Sequence, residues 1–593
     1  MRKLFKYFKP EVPLATVGII FVALSAFIQL YQIQLMSEII DVGIAMANFS
    51  VIVNVGLKMV GLAVLGLIFG IIGLIIPSQA SNNFTLRLRE VVFKKIQTYS
   101  LKNMSEFQTS SLVTRLTNDI NFLQRALMMS LRMLVRAPVF LISTVVLTYM
   151  TSPELSKVML VAVIFLSIVF FFVIREGFPR FMKLQDKVDK MNRKIQESLM
   201  NIRVIKSFVR EKVEKEKFKG ENEDLYEASV RANILMTIMG PSLMTAINIA
   251  TIVVVYMSAN LIVYENLIKI GDLLVFVNYL RFTMFSMMMI THVFMMLSRS
   301  KASVVRINKI LETDADIVSK EEVSKAKDIK GHIKFENVSF KYYEDAECIL
   351  SNINLEIKPR ENIGIIGSTG SGKSTLIHLL ARLIDVRDGR ILLDGVDIRD
   401  MDLTKLRDQF GFVPQSNTLF SGTVAENLRL GNKNASKEEL IKASKTADIY
   451  DYLKEEEKQF ETIVQQGGSN FSGGQKQRLS IARALVSNPK ILVLDDSTSA
   501  LDAATEERVK NALKKEYSDI TIINVAQKIS SIRDSDKIFV IDEGEIVCRG
   551  KHDELLENCQ VYKEIYDSQM NKGGLEWSNI IEDWNRKIKK EHY

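Results

Sequence analysis

Six long apolar stretches in the first half of the chain restrict its fold more than any other feature. A helix rises ~1.5 Å per residue, so ~20 apolar residues cross the roughly 30 Å of hydrocarbon in a membrane. Each stretch is near or above that length, and a water-soluble domain could bury one or two such helices but not six. These predicted transmembrane spans cover residues 14–35, 55–77, 131–150, 157–175, 242–264 and 271–297.

Lysine and arginine are concentrated in two long connections between these spans. Residues 78–129 carry seven of them and residues 176–240 carry a further dense set, whereas the short loop 151–156 carries none. By the positive-inside rule, both connections and both termini are predicted to be cytoplasmic in a multi-pass plasma-membrane protein. We interpret the basic opening, residues 1–10, as an interfacial helix rather than a signal peptide, because five more spans follow the first.

The net charge of +8 fits a protein that borders the anionic leaflet of a lipid bilayer. No basic-aromatic recognition motif accompanies the charge, so nucleic acid is not expected as a partner. The three cysteines, Cys348, Cys548 and Cys559, all follow the last span and lack metal-ligand spacing. We therefore expect reduced thiols in a cytosolic compartment.

A glycine-rich octamer, GSTGSGKS, follows the apolar run 363–366 and matches the phosphate-loop pattern G-x-x-x-x-G-K-[ST] completely. Its glycines let backbone N–H groups face a polyphosphate, and the following helix adds its positive N-terminal end. Lys373 is expected to reach the β- and γ-phosphates and the Ser374 hydroxyl to ligate Mg²⁺, so ATP and magnesium are the predicted cofactors. The predicted phosphate-binding residues are Gly367, Ser368, Thr369, Gly370, Ser371, Gly372, Lys373, Ser374 and Thr375.

Three further motifs follow in an order and over a length typical of one nucleotide-binding domain. They are Gln415 in FVPQS, the run FSGGQ at 471–475, and ILVLD ending at Asp495. Together with the phosphate loop they resemble the ATP-binding cassette (ABC) family. The resemblance implies that Gln415 and Asp495 join Ser374 at magnesium and that Tyr342 stacks on adenine. It also assigns nucleotide binding to the signature residues Ser472, Gly473, Gly474 and Gln475.

Two residues depart from this pattern at the positions where hydrolysis is decided. Family members that hydrolyse efficiently have a glutamate after the Walker B aspartate, and this chain has Asp496. Their switch-loop histidine aligns with Gln527, which cannot become a cation. A carboxylate one methylene shorter retreats by about 1 Å, and a displacement of that size can cost ~10²-fold in rate. We predict tight ATP binding with weak turnover; the alternative is an active enzyme in which Asp496 suffices as the base.

The order of six spans, two long intracellular connections and one cassette resembles a half-size ABC exporter over almost the whole chain. With the two departures, it resembles the degenerate-site subunit of bacterial heterodimeric multidrug exporters. In that family each ATP lies between the phosphate loop of one subunit and the signature of the other. The intact signature would therefore complete a hydrolytic site on a second half-transporter, which is the predicted partner and supplies the missing Glu and His.

These resemblances predict a membrane α-helical domain with six transmembrane helices and an α/β P-loop ATP-binding cassette domain that contains a small antiparallel sheet. They also imply short coupling helices at 110–119 and 201–208, with a solvated helical hairpin as the alternative. The tail could be a docking helix or mobile. The predicted divisions are a membrane domain 1–311, a linker 312–331, a cassette 332–571 and a C-terminal helical tail 572–593.

The membrane spans indicate a substrate class only broadly. Methionine-rich surfaces repack around varied apolar ligands, which favours amphipathic or lipophilic, multidrug-like compounds, although helix packing and lipid contact explain the same methionines. Arg281, about ten residues into the last span, should face substrate or another subunit unless the span boundary is shifted, because an unpaired charge there costs at least ~2.5 kcal/mol. A homodimeric exporter of lipid or peptide and an ATP-gated regulatory membrane module are the alternative functions. The candidate cavity residues are Asn248, Asn278, Arg281, Met284 and Met288.

Overall fold

The computed structural model describes residues 2–263, 268–318, 329–342, 347–498 and 500–570. The chain divides into two compact units. The first comprises Met1–Gln97 and Thr109–Thr313, and the second comprises Thr98–Gln108 and Asp314–Tyr593. Residues 319–328 of the predicted linker and the whole predicted tail 572–593 lie outside the described residues.

Most of the described residues up to 312 are helical, and in apolar surroundings a helix satisfies its backbone N–H and C=O groups internally. Its helices are α1 (Arg2–Phe8), α2 (Val12–Glu38), α3 (Phe49–Gln97), α4 (Leu101–Glu106), α5 (Thr109–Thr114), α6 (Ile120–Thr151), α7 (Pro153–Met200), α8 (Ile202–Ser207), α9 (Glu211–Val263) and α10 (Ile270–Glu312). A 3₁₀ turn covers Lys9–Glu11, and π-helical turns cover Ile39–Ile44 and Arg115–Asp119. Helices α3, α7 and α9 contain 49, 48 and 53 residues, more than twice the length of an apolar span of ~20 residues.

Within the described residues, four helical regions are long and apolar enough to cross a membrane. They are Lys3–Ile44, Phe49–Gln97, Thr109–Thr151 and Ile270–Glu312, and they contain the predicted spans 14–35, 55–77, 131–150 and 271–297. The predicted spans 157–175 and 242–264 lie in α7 and α9, where Ile247–Val263 forms a shorter apolar helix. That the spans number six stays a prediction.

Helices α6 and α10 pack together through buried hydroxyl groups as well as apolar side chains. The hydroxyls of Thr144 and Thr283 lie 3.1 Å apart, and both residues are fully buried. The Ser286 hydroxyl donates to the Ala137 carbonyl oxygen at 2.8 Å. A hydroxyl in apolar surroundings is costly unless it has such a partner, so these bonds help to fix which turns of the two helices face each other.

A charged contact joins the π-helical turn before α6 to the last turns of α10. The Asp119 side chain is only 6% exposed, and its Oδ2 accepts from Arg306 Nε at 2.7 Å. Arg306 Nη2 donates to the other carboxylate oxygen, and Ser303 Oγ donates to the same oxygen at 2.8 Å. The buried carboxylate is thus fully hydrogen-bonded, which is the condition under which a buried charge is tolerated.

The second unit contains all the described strands and the remaining helices. The strands are β1 (Ile333–Phe340), β2 (Leu350–Ile357), β3 (Asn362–Gly367), β4 (Asp388–Leu393), β5 (Val396–Asp397), β6 (Phe410–Val413), β7 (Gly422–Thr423), β8 (Ile463–Val464), β9 (Ile491–Asp495), β10 (Thr521–Val525), β11 (Lys537–Asp542) and β12 (Glu545–Gly550). The helices are α11 (Lys373–Leu380), α12 (Leu403–Arg407), α13 (Val424–Leu428), α14 (Lys437–Thr446), α15 (Tyr450–Glu455), α16 (Gly473–Val486), α17 (Ala503–Glu516), α18 (His552–Asn558) and α19 (Gln560–Met570).

A six-stranded sheet in the order β12-β11-β3-β10-β9-β6 forms the centre of this unit. Its strands are parallel except for the edge strand β12, which pairs antiparallel with β11. A parallel sheet is covered on both faces, which explains why β9 reads ILVLD and is buried throughout. A smaller antiparallel sheet has the order β2-β1-β4-β5, so the predicted α/β cassette with a small antiparallel portion is confirmed.

The short helix α4 belongs to the second unit, together with the rest of segment 98–108. Asn103, 2% exposed, donates from Nδ2 to the Asp314 carbonyl at 3.3 Å and accepts from the Asp316 N–H at 3.2 Å. Ser100 and Asn103 form a reciprocal capping box that starts the helix. The predicted coupling segment 110–119 instead forms α5 and the following π-helical turn in the first unit, so the segment that joins the cassette unit lies earlier in the chain.

Two of the cysteines form a disulfide. Cys548 lies in β12 and Cys559 directly follows α18, and their Cα atoms are 6.2 Å apart, within the range that a disulfide spans. Cys348 is free and exposed. The expectation of reduced thiols is therefore wrong for the Cys548–Cys559 pair. The fold brings β12 close to the residue after α18, and the spacing of the two cysteines in the sequence does not show this proximity.

We expect Arg306→Met to destabilise the first unit by about 1–3 kcal/mol, because it leaves the buried Asp119 carboxylate with fewer donors. The measurement is thermal unfolding of the detergent-solubilised chain. Lys3→Met is the matched control, since the Lys3–Glu312 pair is exposed on both sides and such pairs contribute ~0–1 kcal/mol. Equal unfolding midpoints for the two variants would contradict the role given to the Asp119 contact.

Candidate nucleotide site

The carboxyl ends of β3, β9 and β10 meet at one edge of the six-stranded sheet, beside a cavity of about 320 Å³. Val525, at the end of β10, pairs with Ile365 in β3 and with Asp495 at the end of β9. The segments after β9 and β10 therefore start at the same level, and β3 extends beyond it to Gly367, so all three segments begin at this edge of the sheet. The cavity is lined by Ile349, Thr369, Gly370, Gly372, Lys373, Ser374, Thr375, Gln415, Asp495, Asp496, Val525, Ala526 and Gln527.

The phosphate loop turns sharply between β3 and α11. Gly372 has a φ of +98°, a left-handed conformation that favours glycine, and a Cβ there would lie 2.6 Å from the Leu350 side chain. Lys373 is 9% exposed, and its Nζ donates to the carbonyl oxygens of Gly367 at 2.9 Å and Ser368 at 2.6 Å. Burial lowers the pKa of the Lys373 ammonium group. The loop thus holds a buried cationic group at the cavity wall.

An oxygen-rich corner of the cavity contains Ser374 and Asp495. The Ser374 hydroxyl donates to Asp495 Oδ1 at 3.2 Å, and Asp495 is 4% exposed. Burial and, to a smaller extent, the neighbouring Asp496 raise the pKa of the Asp495 carboxyl. A hydroxyl and a carboxylate are hard oxygen ligands, and Gln415 offers an amide oxygen from the same cavity wall. These residues fit a magnesium ion, whose charge would favour the ionised form of Asp495.

The two residues that depart from the family pattern contact each other. Gln527 Nε2 donates to Asp496 Oδ2 at 3.3 Å, and the Asp496 N–H donates to the Val525 carbonyl at 2.8 Å. Asp496 has a φ of +49°, a left-handed conformation that aspartate adopts more readily than most residues. Burial raises the pKa of its carboxyl group. Because Gln527 is neutral, Asp496 faces an uncharged amide where a histidine could provide a cation.

The other predicted nucleotide residues do not line this cavity. Tyr342 packs edge-on against Phe340, with ring centroids 5.0 Å apart. The signature residues begin α16, where the Ser472 hydroxyl accepts from the Gln475 N–H at 3.3 Å and Gln475 Oε1 accepts from the Ser472 N–H at 2.8 Å. Sequence reasoning missed Ile349 and Ala526, which are apolar wall residues without a motif. Gly367, Ser368 and Ser371 belong to the phosphate loop but are not among the lining residues.

The candidate substrate residues lie in α9 and α10 of the first unit. Asn248 in α9 and Arg281 and Met288 in α10 are exposed, whereas Asn278 and Met284 in α10 are half-buried. The Asn278 side-chain amide donates to the Leu274 carbonyl at 2.9 Å, so part of its hydrogen-bonding capacity is used within its own helix.

Sequence reasoning also missed a pair of arginines one helical turn apart in the predicted span 131–150. Arg136 Nη2 donates to Gln29 Oε1 at 2.8 Å, and Arg132 Nη2 donates to the Leu74 carbonyl oxygen at 2.6 Å. Both acceptors are neutral oxygens, and among the described residues neither buried Nε atom has a hydrogen-bond acceptor. The signal was two cations, four residues apart, inside an apolar run.

Comparison with known proteins covers both units. The family model for the ABC transporter transmembrane region matches residues 15–287, and the family model for the ABC transporter matches residues 350–499. The chain is 36% identical to an uncharacterized ABC transporter ATP-binding protein, YfiB, of Bacillus subtilis strain 168, over 97% of this chain and all of that protein. It is 30% identical to the ATP-dependent lipid A-core flippase of Haemophilus influenzae strain Rd, over 95% of this chain and 96% of the flippase.

A solved structure of a bacterial Atm1-family ABC exporter with ATP bound has the same fold. The TM-score is 0.79 at 24% identity, over 95% of this chain and 98% of the exporter chain. A transmembrane domain fused to an ATP-binding cassette defines a half-transporter of the exporter type, which confirms the predicted fold class. The chain belongs to the ABC transporter family, and it is a multi-pass membrane protein whose cassette implies ATPase activity in ATP-driven export.

We expect Lys373→Ala to weaken ATP binding by roughly tenfold to a hundredfold, because hydrogen bonds to charged groups contribute about 1.5–3 kcal/mol. Titration of the purified chain with a fluorescent ATP analogue measures the affinity. Lys334→Ala is the control, since Lys334 lies on β1 and pairs with Glu336 at a partly exposed surface. An unchanged affinity in Lys373→Ala would exclude the cavity as the ATP site.

Proposed function

We propose that this chain is one half of a heterodimeric ATP-driven exporter in which its own site binds ATP and hydrolyses it slowly. The contact between Asp496 and Gln527 is the observation that carries this proposal. Both residues line the same cavity as the phosphate loop and the predicted magnesium ligands. In this proposal the phosphate loop and the magnesium ligands are retained, and the two residues that act in hydrolysis are altered.

Each part of this site has a distinct task in the proposed function. The phosphate loop and Lys373 hold the β- and γ-phosphates, and Ser374, Gln415 and Asp495 hold magnesium, which neutralises phosphate charge when bound. Asp496 occupies the position of the general base but reaches about 1 Å less far than a glutamate. Gln527 can donate a hydrogen bond to the γ-phosphate and cannot add positive charge as negative charge develops there. Binding is retained under this arrangement and turnover falls.

The signature residues support a role on a second subunit. Ser472–Gln475 begin α16 and lie outside the cavity lining of this chain. The N-terminus of a 14-residue helix presents backbone N–H groups to an anion. A homodimer would contain two altered sites, whereas a partner with Glu and His would gain a complete site from this signature. Tyr342 would stack on the adenine of the chain's own ATP.

Transport would follow from closure of the paired cassettes on ATP. Segments 98–108 and 201–208 would carry that closure to the membrane helices, and the cavity would change from inward-facing to outward-facing. In this proposal the cassettes and both termini lie in the cytoplasm of a plasma-membrane protein. A change from inward-facing to outward-facing then exports the substrate. ATP retained by the slow site would keep the cassettes in partial contact between cycles.

The substrate class that we propose is amphipathic or lipophilic compounds, as for multidrug exporters. Arg132 and Arg136 favour a narrower class within it, because a cation inside an apolar span is costly unless it serves a ligand or partner. Anionic amphiphiles would supply the negative charge that pairs with the two arginines. Further candidate contacts are Arg281, Asn248, Asn278, Met284 and Met288. The related flippase of Haemophilus influenzae acts on lipid A-core, so lipid export by this chain is the second candidate.

We expect the double change Asp496→Glu and Gln527→His to raise the ATP turnover of the purified chain by ~10²-fold or more, because it restores the reach of the base and a titratable cation. Phosphate release is the measurement. The control is Asp519→Glu with Gln560→His, which makes the same exchanges at exposed positions. Robust turnover by the unaltered chain alone, abolished by Asp496→Asn, would instead identify an active homodimer.

We expect Arg136→Met to weaken binding of a fluorescent anionic lipid by about tenfold or more, because a charged hydrogen bond is lost from an apolar site. Fluorescence anisotropy of the purified chain in detergent gives the dissociation constant. Arg125→Met, at an exposed position of the same helix, is the control. If a cationic dye loses affinity to the same extent as the lipid, the anionic class is ruled out.

A further inference from the structure

The last described helix holds the backbone beside the candidate catalytic residue Gln527. Gln569, near the end of α19, accepts at Oε1 from the Ile529 N–H at 2.9 Å. Its Nε2 donates to the Gln527 carbonyl oxygen at 2.8 Å. One side-chain amide therefore bridges the main chain on both sides of Lys528, at the start of the segment that follows β10.

Helix α19 is itself firmly attached to the sheet. Tyr562 is fully buried, and its hydroxyl forms a 2.8 Å hydrogen bond with His552 Nδ1. Tyr562 and Cys559 pack in one apolar cluster with Ala526 and Ile529. The disulfide from Cys559 to β12 fixes the chain immediately before the first residue of α19. The position of Gln569 is thus set by the packing of α19 and by the disulfide that precedes it.

The same cluster includes a residue of β3 and the residue that follows β10, and both segments lie beside the cavity. Ile366, which precedes the phosphate loop, is a fully buried member of it. Ala526 lines the cavity and belongs to the cluster as well. Segment 526–529 packs in this cluster through Ala526 and Ile529 and is hydrogen-bonded to Gln569. The direction in which the Gln527 side chain leaves the backbone therefore depends on both contacts.

We propose that Gln569 is a positioning residue for the ATP site, acting through the backbone of 527–529 to aim the Gln527 amide at Asp496 and at the γ-phosphate position. This inference rests on the proposed function, in which Gln527 contacts bound nucleotide. The effect of Gln569 is exerted through the carbonyl of Gln527 and the N–H of Ile529.

Gln569→Ala and Gln569→Glu separate positioning from general stabilisation. The alanine variant loses both hydrogen bonds, whereas the glutamate variant keeps an acceptor for the Ile529 N–H and loses the donor to the Gln527 carbonyl. Gln560→Ala is the matched control, because Gln560 begins the same helix and bonds the exposed Glu564 side chain. Two readouts are measured on the full chain: hydrogen exchange of the peptide that contains Ile529, and the rate at which a fluorescent ATP analogue dissociates.

We expect Gln569→Ala to speed exchange at Ile529 and to speed dissociation of the analogue by about five- to tenfold, the equivalent of one or two neutral hydrogen bonds. Gln569→Glu should give a smaller effect on both, and Gln560→Ala neither. Faster exchange with unchanged dissociation would overturn the proposal, and so would unchanged exchange. The analogue is first bound to the unaltered chain, where a failure to retain it counts against the proposed function and not against Gln569.

Discussion

The parallel pairing of β3, β10 and β9 is the constraint on which the rest of the cassette depends. Because Val525 pairs with both Ile365 and Asp495, β9 and β10 end at one level, β3 continues to Gly367, and the loops that follow the three strands share one edge. Ser374 of the phosphate loop and the buried Asp495 are 121 residues apart in sequence, and Asp496 and Gln527 are 31 residues apart. Their separation in space is therefore decided by backbone register, before any of their side chains contact one another.

In the proposed function, the altered residues Asp496 and Gln527 slow hydrolysis and leave ATP binding in place. Ser374 and Asp495 are bonded to each other beside the buried Lys373, so the charges that hold a nucleotide are already arranged. Asp496 and Gln527 are bonded to each other in the same way, and neither is left as an orphan polar group. Their hydrogen bond avoids part of the cost of an unsatisfied polar group, so both residues fit the cassette fold.

The features that the sequence predicts correctly are those whose signal is contiguous. The loop between β3 and α11, the buried run ending at Asp495 and four of the long apolar spans each carry their information within about ten to twenty residues. The features that it misses arise from contacts between distant segments: the Cys548–Cys559 disulfide, the bond between Asn103 and residues 314–316, and the contact of Gln527 with Asp496. Arg132 and Arg136 were missed for another reason. Both are visible in the sequence of span 131–150, but the high apolar content of that span drew attention away from them.

The capping box at the start of α16 has a thermodynamic consequence for reversible assembly. Ser472 and Gln475 already satisfy each other's N–H groups, so the end of the helix is stable by itself. In the proposed function, a phosphate from a second subunit would bind at an end that is already ordered, so little further conformational entropy would be lost on binding. A helix end of this kind would bind and release an anion repeatedly without folding and unfolding in each cycle.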